Sequence, residues 1–506
     1  MVEQTPLIDN ESAASSGWSW AQVGRDLRTG WEALGRAAGN PRFAWVAVAL
    51  ILLLGALLRL HNVDWDEGQH LHPDERFLTM VENSLEWPAS VAQYFDSAQN
   101  PLNPYNHDFS TYVYGLFPIV IAKFLGQISG YSGYDGVYLA GRVMSALMDL
   151  GAVWLIYHIG RRLYDARVGL LAALLLSLTV LNIQQAHFFT VDTTTTLLVT
   201  LALYFAVRVA QGEGAGSTVG LGLAFGAAAA AKISVLSFLL IIVAAYGWRL
   251  WVRWRAVDGP AEGGETDAAA GWERRVGRYT LSLRPVATEA GPSSPERLAN
   301  ELGRAILAVA AVLLLALLAF RVTQPQAFTG PGLFGLKPNE QWLKDMGSIQ
   351  QLMSGETDYP PSHQWAGRAA VWYALKNQVL WGMGLPLGLA VWAGWGLMAY
   401  EMVRRNRWAH LLPWLWMTFT FLYQSIQFVK TMRYLLPIYP TMVLVAAYGL
   451  VRLWDWGRAR RAATGPQAAA PRAKGRGWRL ALGIGGPALV LLGTAFWALA
   501  FSSIYS

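Results

Sequence analysis

Long apolar segments, separated by short polar stretches, make up most of this sequence. A helix needs about 20 predominantly apolar residues to cross a hydrocarbon core of about 30 Å, and many of these segments approach that length. Eleven segments are suited to spanning, and they cover residues 43–60, 137–159, 167–182, 193–210, 217–231, 233–251, 304–321, 380–402, 409–425, 434–452 and 479–500. The pattern predicts an all-α integral membrane protein, a polytopic bundle of about 11 transmembrane helices.

A twelfth apolar segment, YVYGLFPIVIAKFLGQI at 112–128, decides which side of the membrane each loop occupies. It is short, begins beside polar sequence and contains Pro118 and Lys123. Lys and Arg near the ends of spans favour the cytoplasmic side, because translocating them is costly. If this segment lies along the outer surface, four arginine clusters fall inside: 161–167, 249–255, 404–407 and 452–479.

Full crossing of the segment would place all four clusters outside, where each would oppose insertion. We therefore predict a surface-lying juxtamembrane helix and a cytoplasmic N-terminus. The protein is expected in the plasma (inner) membrane as a multi-pass protein, with its functional site on the external (periplasmic) face.

The first half of the chain divides into a tail and a membrane module. Residues 1–42 are expected to form a cytoplasmic tail. Apolar residues from Trp20 to Leu34 recur there at helical spacing, as in a helix lying in the membrane interface; a disordered tail fits equally. Residues 43–251 form the N-terminal module, which includes an external loop at 61–136.

The second half begins with a linker. Residues 252–303 are rich in Gly, Ala, Glu and Arg and poor in apolar periodicity, which predicts a flexible cytoplasmic segment. Residues 304–506 form the C-terminal module. Its external loop at 322–379 mixes Pro, Gly and aromatic residues, a composition typical of ordered or gating loops.

Charge and cysteine content narrow the class further. The net charge is +7, but the arginines lie in short clusters between apolar segments, where they face anionic lipid head groups. Membrane lipids are therefore the expected partners of these clusters, and no nucleic-acid partner is predicted. The chain has no cysteine, so it forms no disulfide and uses no thiolate chemistry.

On the predicted topology, polar residues from distant parts of the sequence converge on the external face. The stretch NVDWDEGQHLHPDERFL at 62–78 holds five carboxylates and two histidines directly after the first span. The stretch NIQQAHFFTVD at 182–192 joins two spans at the same face. Cations and a tyrosine lie at the outer ends of other spans, in AAAAKIS and FVKTMRYLLP: Lys232, Lys430, Arg433 and Tyr434.

This juxtaposition suits a lipid-linked anionic substrate that enters from the bilayer. A cation at a span end can pair with a phosphate through charge-assisted hydrogen bonds, while an apolar tail lies between helices. A nearby carboxylate can accept the proton of an attacking hydroxyl. In the simpler alternative, Lys232, Lys430 and Arg433 only anchor span ends at head groups, and the acidic stretch is a solvated surface.

Two further features have alternative interpretations. His70 and His72 with Asp64 form a weak metal-binding pattern, so a divalent metal is left open although no cofactor is predicted. Asp149 lies within a predicted span, where an ionisable residue costs about 2.5 to 3.5 kcal/mol and needs a partner. A structural hydrogen bond to another helix is the favoured interpretation of Asp149; a transporter or flippase is the alternative that it supports.

Five motifs follow the first span in order: HPDERFLTMVENSLEW, YGLFPIVIAKFLG, IGRRLYDARVGLLAALLLSL, FFTVDTTTTLLVTLALYFA and MRYLLPIYPTMVLVAAYGL. Together they cover most of residues 43–460. The ordered set resembles the GT-C superfamily of polyprenyl-phosphate-sugar-dependent glycosyltransferases, in the branch that contains protein O-mannosyltransferases and lipid A aminoarabinose transferases. The resemblance implies a GT-C-type bundle with surface-lying helices in the first external loop.

The resemblance also implies roles for particular residues. The first external loop would supply a catalytic aspartate, which the motif HPDERF places at Asp74, with Glu75 beside it. External cations would hold the donor phosphate, and Lys232 and Arg433 match best. Asp66, followed by a glutamate, is an alternative catalytic carboxylate.

One departure from the family pattern concerns the phosphate. Aminoarabinose transferases carry Lys-Pro-Pro ahead of the surface-lying helix, whereas this chain has YVYGLFP. That phosphate contact therefore comes from elsewhere or is absent.

The predicted function is a membrane glycosyltransferase that moves a sugar from a polyprenyl-phosphate donor to the hydroxyl of a lipid, protein or glycan acceptor. Direct attack with Asp74 as the base would invert the anomeric configuration. Lys430 is a third candidate for the donor phosphate, and the candidate substrate contacts are His72, His187, Asp192, Tyr434, His363 and Trp365. A transporter or flippase and a non-catalytic glycolipid-binding protein are the alternatives.

Overall fold

The computed structural model describes residues 40–257, 273–276, 279–282, 295–459 and 477–505. These residues are almost entirely helical. The helices are α1 (Pro41–Leu60), α2 (Pro73–Ser84), α3 (Val91–Phe95), α4 (Leu116–Ser129), α5 (Tyr134–Leu163), α6 (Ala166–Ser177), α7 (Val180–Ala186), α8 (Asp192–Ala210), α9 (Ala215–Ala231), α10 (Leu239–Val257), α11 (Pro295–Thr323), α12 (Glu340–Ser354), α13 (Trp372–Asn377), α14 (Leu385–Arg405), α15 (Leu411–Ile426), α16 (Tyr439–Ala459) and α17 (Gly477–Ser502).

Short helical turns and one small strand pair complete the described elements. The 3-10 turns are Pro104–His107, Ile233–Phe238, Pro325–Ala327, Pro360–Trp365, Trp408–His410, Met432–Ile438 and Ser503–Tyr505, and Gln378–Gly382 forms a π turn. Strands β1 (Glu273–Val276) and β2 (Tyr279–Ser282) pair antiparallel. Both strands, the end of α10 and the start of α11 fall in the range predicted as a flexible linker; the rest of that range, and the predicted interfacial helix at Trp20–Leu34, lie outside the described residues.

All eleven segments predicted to span fall on helices, but fewer of them have the length and hydropathy of a full span. Seven described helical stretches qualify, and α6 with α7, bent by 57°, would make an eighth. The multi-pass membrane architecture is confirmed, and the predicted count of about 11 spans is not. Helix α4 has 14 residues, fewer than the roughly 20 needed to cross, as expected of a surface-lying helix.

Helices α5, α6, α8 and α16 form the centre of the bundle, where α5 packs on α6 and α8, and α16 packs on α6. Helix α16 is the most buried of the candidate spans, whereas α1, α11 and α17 each bury less than a third of their apolar window. Leucines such as Leu57, Leu314 and Leu492 remain more than half exposed on those three helices. Exposed apolar rows on membrane-length helices are the surface expected to face lipid.

The buried Asp149 is paired inside the bundle. The Arg59 Nε donates to its Oδ2 at 2.7 Å, and the Asn182 Nδ2 donates to its Oδ1 at 2.6 Å. Arg59 also donates to the backbone carbonyls of Leu176 and Ser177 at the end of α6. The pair therefore joins α1, α5 and the α6–α7 bend, and it confirms a structural role for Asp149.

A second, smaller core lies under the loop region between α1 and α5. Helices α2 and α4 pack there on the start of α5 through Leu78, Val81, Ile119 and Val137. A buried pair between Lys123 of α4 and Glu82 of α2, at 3.3 Å, joins the two short helices. Burial raises the pKa of the Glu82 carboxyl. This core fixes the position of α2, whose first turn carries the candidate catalytic carboxylates.

Candidate active site

The first turn of α2 presents two adjacent carboxylates in different directions. Pro73 occupies the first helical position, and the His72 Nδ1 caps the helix by accepting a hydrogen bond from the Glu75 N–H at 3.4 Å. Successive residues on a helix point about 100° apart, so Asp74 and Glu75 face different surroundings. Glu75 is fully buried, whereas Asp74 is partly exposed. Both carboxylates also benefit from the helix N-terminus, which favours negative charge.

Glu75 forms part of a buried ion cluster with Arg142 of α5. The Arg142 Nε and Nη2 donate to the two Glu75 oxygens at 2.9 and 2.5 Å, and Nη2 also donates to Asp66 at 2.9 Å. The Phe189 N–H donates to Glu75 at 2.7 Å. All three charged side chains are fully buried. Glu75 and Asp66 are therefore held as structural anions, and both are poor candidates for a base that must meet an acceptor.

Asp74 instead forms an ion pair with Arg433. The Arg433 Nη1 donates to the Asp74 Oδ2 at 2.6 Å, and the two side chains are 21% and 17% exposed. Arg433 lies in the 3-10 turn Met432–Ile438 that leads into α16. The pair thus joins the first turn of α2 to a turn near the end of the chain, and both groups keep some access to solvent.

A second ion pair lies beside the first. Lys232, at the end of α9, donates from Nζ to the Asp192 Oδ1 at 2.5 Å. The Tyr434 ring lies between the two cations, 4.4 Å from the Lys232 Nζ and 5.7 Å from the Arg433 Cζ. Asp192 opens α8 and is buried. Two cations, two carboxylates and one aromatic ring therefore form a single cluster drawn from four parts of the chain.

Tyr114, just ahead of α4, completes the surroundings of Asp74. The Tyr114 hydroxyl lies close to the Asp74 carboxylate, and burial, together with the nearby Asp74 charge, raises the pKa of that hydroxyl. Gly115 makes the close approach of this segment possible, because a Cβ there would lie 2.5 Å from the Ala231 Cα. Ala231 immediately precedes Lys232, so the contact brings Tyr114 and Lys232 to the same cluster.

His72 borders the cluster as a neutral imidazole. Burial lowers its pKa, outweighing the opposing effect of the Asp74 charge, and Arg433 lowers it further. The ring packs on Phe188 with a centroid separation of 4.5 Å. His72 therefore adds a polar but uncharged wall next to the ion pairs at neutral pH.

Several predicted contact residues are engaged elsewhere. The Lys430 Nζ donates to the Phe428 carbonyl at 3.2 Å and forms no part of the cluster as described above. Both ring nitrogens of the buried His187 contact backbone carbonyls, and its ring stacks on Tyr505 at 3.8 Å. His363 pairs with an aspartate on an exposed loop, and Trp365 ends the same short turn. The structure therefore does not bring Lys430 and His187 into the cluster, and their roles as substrate contacts stay predictions.

The candidate metal ligands are not brought together. His70 lies buried between the rings of Tyr134 and Tyr138, at 4.6 and 4.7 Å. Asp64 accepts a hydrogen bond from the Tyr138 hydroxyl at 2.7 Å, while His72 caps α2. In the part of the chain that the structure describes, no three His, Asp or Glu side chains are arranged to hold a metal ion.

Sequence reasoning missed two residues of this region. Arg142 lies within an apolar segment, and an ionisable residue at such a position signals a buried partner, so the signal was available. Tyr114 carries no such signal, because aromatic residues are common near membrane surfaces.

Comparison with known proteins supports the fold. Residues 131–257, about a quarter of the chain, match the family model described as dolichyl-phosphate-mannose-protein mannosyltransferase. No curated protein matches the sequence.

Three solved structures resemble the whole bundle. The oligosaccharyltransferase of Archaeoglobus fulgidus in the apo form is 15% identical over 92% of this chain and 56% of its own, with a TM-score of 0.52. AglB of the same organism, in complex with an inhibitory peptide and a dolichol-phosphate, is 15% identical over 91% of this chain and 56% of its own, with a TM-score of 0.50. ArnT from Cupriavidus metallidurans bound to undecaprenyl phosphate is 16% identical over 92% of this chain and 76% of its own, with a TM-score of 0.49.

The chain therefore spans little more than half the length of the archaeal proteins that it resembles. At this level of identity the likeness concerns the fold, and it confirms the GT-C bundle predicted from the ordered motifs.

Proposed function

We propose that this protein is a membrane glycosyltransferase that moves a sugar from a polyprenyl-phosphate donor to an acceptor hydroxyl at the external face. The observation that carries the proposal is the contact between Asp74 and Arg433, at 2.6 Å, next to the pair formed by Lys232 and Asp192. Because a base and two cations share one cluster, an acceptor and a phosphate can be held within reach of each other.

Arg433 and Lys232 are the proposed donor-phosphate ligands. Both cations now contact carboxylates, and a phosphate oxygen can replace a carboxylate oxygen in the same charge-assisted geometry. The Tyr434 ring contacts both cations, which keeps Lys232 and Arg433 close to one another for a shared phosphate. The GT-C neighbour AglB was crystallised with dolichol-phosphate, which is a lipid phosphate of the proposed class.

Asp74 is the proposed base. When the donor phosphate binds Arg433, the Asp74 carboxylate loses its partner and becomes available to the acceptor. The acceptor oxygen then attacks the anomeric carbon, its proton passes to Asp74, and the bond from that carbon to the phosphate oxygen breaks. The products are the glycosylated acceptor and the polyprenyl phosphate, and a single displacement inverts the anomeric configuration.

Arg142 and Tyr114 position the base. The cluster of Arg142 with Glu75 and Asp66 fixes the first turn of α2, and the Tyr114 side chain borders the Asp74 carboxylate. A carboxylate is a weak base, so neutralising the leaving phosphate must supply much of the rate enhancement. The cluster thus provides a base and cations that neutralise the leaving phosphate, with few protein groups.

The external location rests on charge distribution. With α4 along the surface, the arginine clusters at the opposite ends of the spans face the cytoplasm, in agreement with the preference of Arg for that side. Cysteine-accessibility labelling in intact cells tests this directly, because the chain has no native cysteine. A label that reacts at an engineered cysteine in the loop 355–366 only after the membrane is permeabilised would overturn the orientation.

The activity is tested with purified protein in lipid nanodiscs. A set of polyprenyl-phosphate sugars is supplied with candidate acceptors, and released polyprenyl phosphate is measured by mass spectrometry. The proposal predicts release that depends on protein and on acceptor. Donor binding without release would favour a glycolipid-binding protein, and transbilayer movement of intact donor, measured in sealed liposomes, would favour a flippase.

A further inference from the structure

A compact hairpin follows α11 and is closed at its base, which is unusual for a segment rich in glycine and proline. The backbone bridge between Phe328 and Pro338 closes residues 327–339, here called the 327–339 hairpin. The Thr329 N–H donates to the Lys337 carbonyl at 2.8 Å, and the Asn339 N–H donates to the Ala327 carbonyl at 2.9 Å. The hairpin is therefore a built element and not an extended connection.

Arg321, in the last turn of α11, orders the hairpin from beneath. This arginine is fully buried, and its Nη2 donates to the carbonyls of Gly330 and Gly332 at 3.1 and 2.7 Å and to Phe95 at 3.0 Å. The two arms also touch, since a Cβ on Gly335 would lie 2.1 Å from the Gly330 carbonyl carbon. Burying a guanidinium costs desolvation free energy. Its hydrogen bonds to the backbone carbonyls offset part of that cost and fix the conformation of the hairpin.

The ordered tip presents apolar side chains outward. Phe334 is 89% exposed, the most exposed of the large hydrophobic residues described, and Leu336 is 41% exposed. Pro331 is exposed and Leu333 is half-buried beside them. A phenylalanine offers roughly 150–250 Å² of surface to bury, so a rigid tip that holds this ring away from the protein favours contact with an apolar partner.

The position of the tip identifies that partner as lipid. Helix α11 is a candidate membrane span that ends at Thr323. The Arg321 side chain joins the last turn of that span to the tip. The distance from the end of the span, where the bilayer boundary is expected, to the start of the tip is therefore no more than the length of one arginine side chain. Leu314, Leu318 and Val322 are exposed along α11 and extend the lipid-facing surface up to the hairpin.

We propose that the 327–339 hairpin is a membrane anchor, with Phe334 inserted into the interfacial region of the leaflet that borders the candidate active site. Lys337 follows the apolar tip and is exposed, so its ammonium can reach lipid head groups while the ring lies deeper. The proposal concerns the bilayer as partner and does not depend on the transferase chemistry.

The segment between α11 and the hairpin, which bonds the hairpin through the Ala327 N–H and the Gln324 carbonyl, also touches the candidate active site. Gln324 is buried; its Oε1 accepts from the Leu116 N–H at 2.7 Å, and its Nε2 donates to the Tyr114 carbonyl at 3.3 Å. Tyr114 in turn lies close to Asp74. Insertion of the tip would therefore hold the base of the hairpin, and with it the Tyr114 segment, at a fixed depth in the membrane interface.

Site-directed spin labelling tests the anchor in the whole protein. Because the chain has no cysteine, Phe334→Cys places a single nitroxide at the tip. The labelled protein is reconstituted in nanodiscs of phosphatidylcholine and phosphatidylglycerol, and spin relaxation by oxygen, which concentrates in lipid, is compared with relaxation by a water-soluble nickel chelate. Leu314→Cys, 68% exposed on α11, serves as the lipid-facing control, and His363→Cys, on an exposed loop, serves as the aqueous control.

The anchor predicts that the Phe334→Cys label is relaxed more by oxygen than by nickel, with an oxygen-to-nickel ratio several-fold above that of the His363→Cys label and towards that of Leu314→Cys. A ratio equal to that of the aqueous control would overturn the proposal. Protection of the Phe334→Cys label from both reagents would also overturn it, because that result indicates contact with protein.

Discussion

Asp74 and Arg433 lie 359 residues apart in the sequence, and their side chains meet at 2.6 Å. The proposed base and the proposed phosphate ligand therefore form an ion pair with each other when no donor is bound. In the proposed mechanism a donor phosphate displaces the carboxylate, and this exchange frees the base at the moment when the leaving group is neutralised. The predictions below test the exchange and the structure around it.

Replacing Asp74 with Asn should abolish transfer and at the same time strengthen donor binding. The variant loses the base, but Arg433 no longer has a carboxylate competing with the phosphate. A partly exposed ion pair is worth up to about 1 kcal/mol, so we expect donor affinity to rise by about two- to fivefold. Donor binding and transfer are measured on the same nanodisc preparation.

Asp64→Asn is the matched control for this variant, because Asp64 bonds the Tyr138 hydroxyl outside the cluster. It should transfer at close to the original rate. Transfer by the Asp74→Asn variant at that rate would remove Asp74 from the role of base.

Replacing Arg433 with Ala should weaken donor binding. A hydrogen bond to a charged group contributes about 1.5–3 kcal/mol, which corresponds to a loss of about 10- to 150-fold in affinity. Lys430→Ala is the control cation three residues away, and its Nζ contacts the Phe428 carbonyl instead. Equal losses in both variants would show that general surface charge, and not the Arg433 position, binds the phosphate.

Replacing Arg142 with Ala should destabilise the protein strongly, because Glu75 and Asp66 would remain buried without their partner. Removing one partner of a buried ion pair costs about 3–5 kcal/mol, which thermal unfolding of the purified protein would detect. Asp66→Asn should lower the unfolding temperature as well, yet its folded fraction should still transfer sugar. A stable Asp66→Asn variant without activity would return Asp66 to the catalytic role.

Replacing Gly115 with Ala should displace Lys232 indirectly, through the end of α9. The added Cβ would lie 2.5 Å from the Ala231 Cα, so the end of α9 must shift. Overpacking of this kind costs about 1–3 kcal/mol, and the displaced Lys232 should weaken donor binding. Gly216→Ala is the control, because Gly216 lies in α9 and nothing is within 4 Å of a Cβ added there. This variant should change neither stability nor donor affinity by much.

Lowering the pH should destabilise the folded protein through protonation of His72. Burial lowers its pKa below the ordinary value of 6.5, so the folded state prefers the neutral ring. The stability that this preference contributes is present above pH 6.5 and is lost as the pH falls towards the lowered pKa of the folded state.

His72→Asn keeps a helix-capping acceptor but cannot be protonated. The unfolding temperature of the original protein should therefore fall more between pH 7 and pH 5 than that of the variant. Parallel curves for the two proteins would show that His72 does not carry this dependence.

The sequence predicted the helices well because apolar periodicity is a local property. All eleven predicted spans fall on helices, and the ordered motifs led to the GT-C bundle. Asp74, Lys232 and Arg433 were grouped correctly by combining the alternation of spans with the family resemblance. The count of about 11 spans stays unconfirmed, because segments such as 217–231 and 409–425 lie on helices of 17 and 16 residues, which are short for a full span.

Only the tertiary structure decided which charges are structural and which are available. Asp66, Glu75 and Asp74 were all candidate catalytic acids in the sequence, but Arg142 holds Asp66 and Glu75 in a buried cluster, while Asp74 faces Arg433 with partial exposure. The physical reason is that apolar burial follows from the order of nearby residues along the chain. Whether a charged side chain is buried in an ion pair or remains accessible depends on its desolvation and on its distance to an opposite charge. Packing between remote segments sets both.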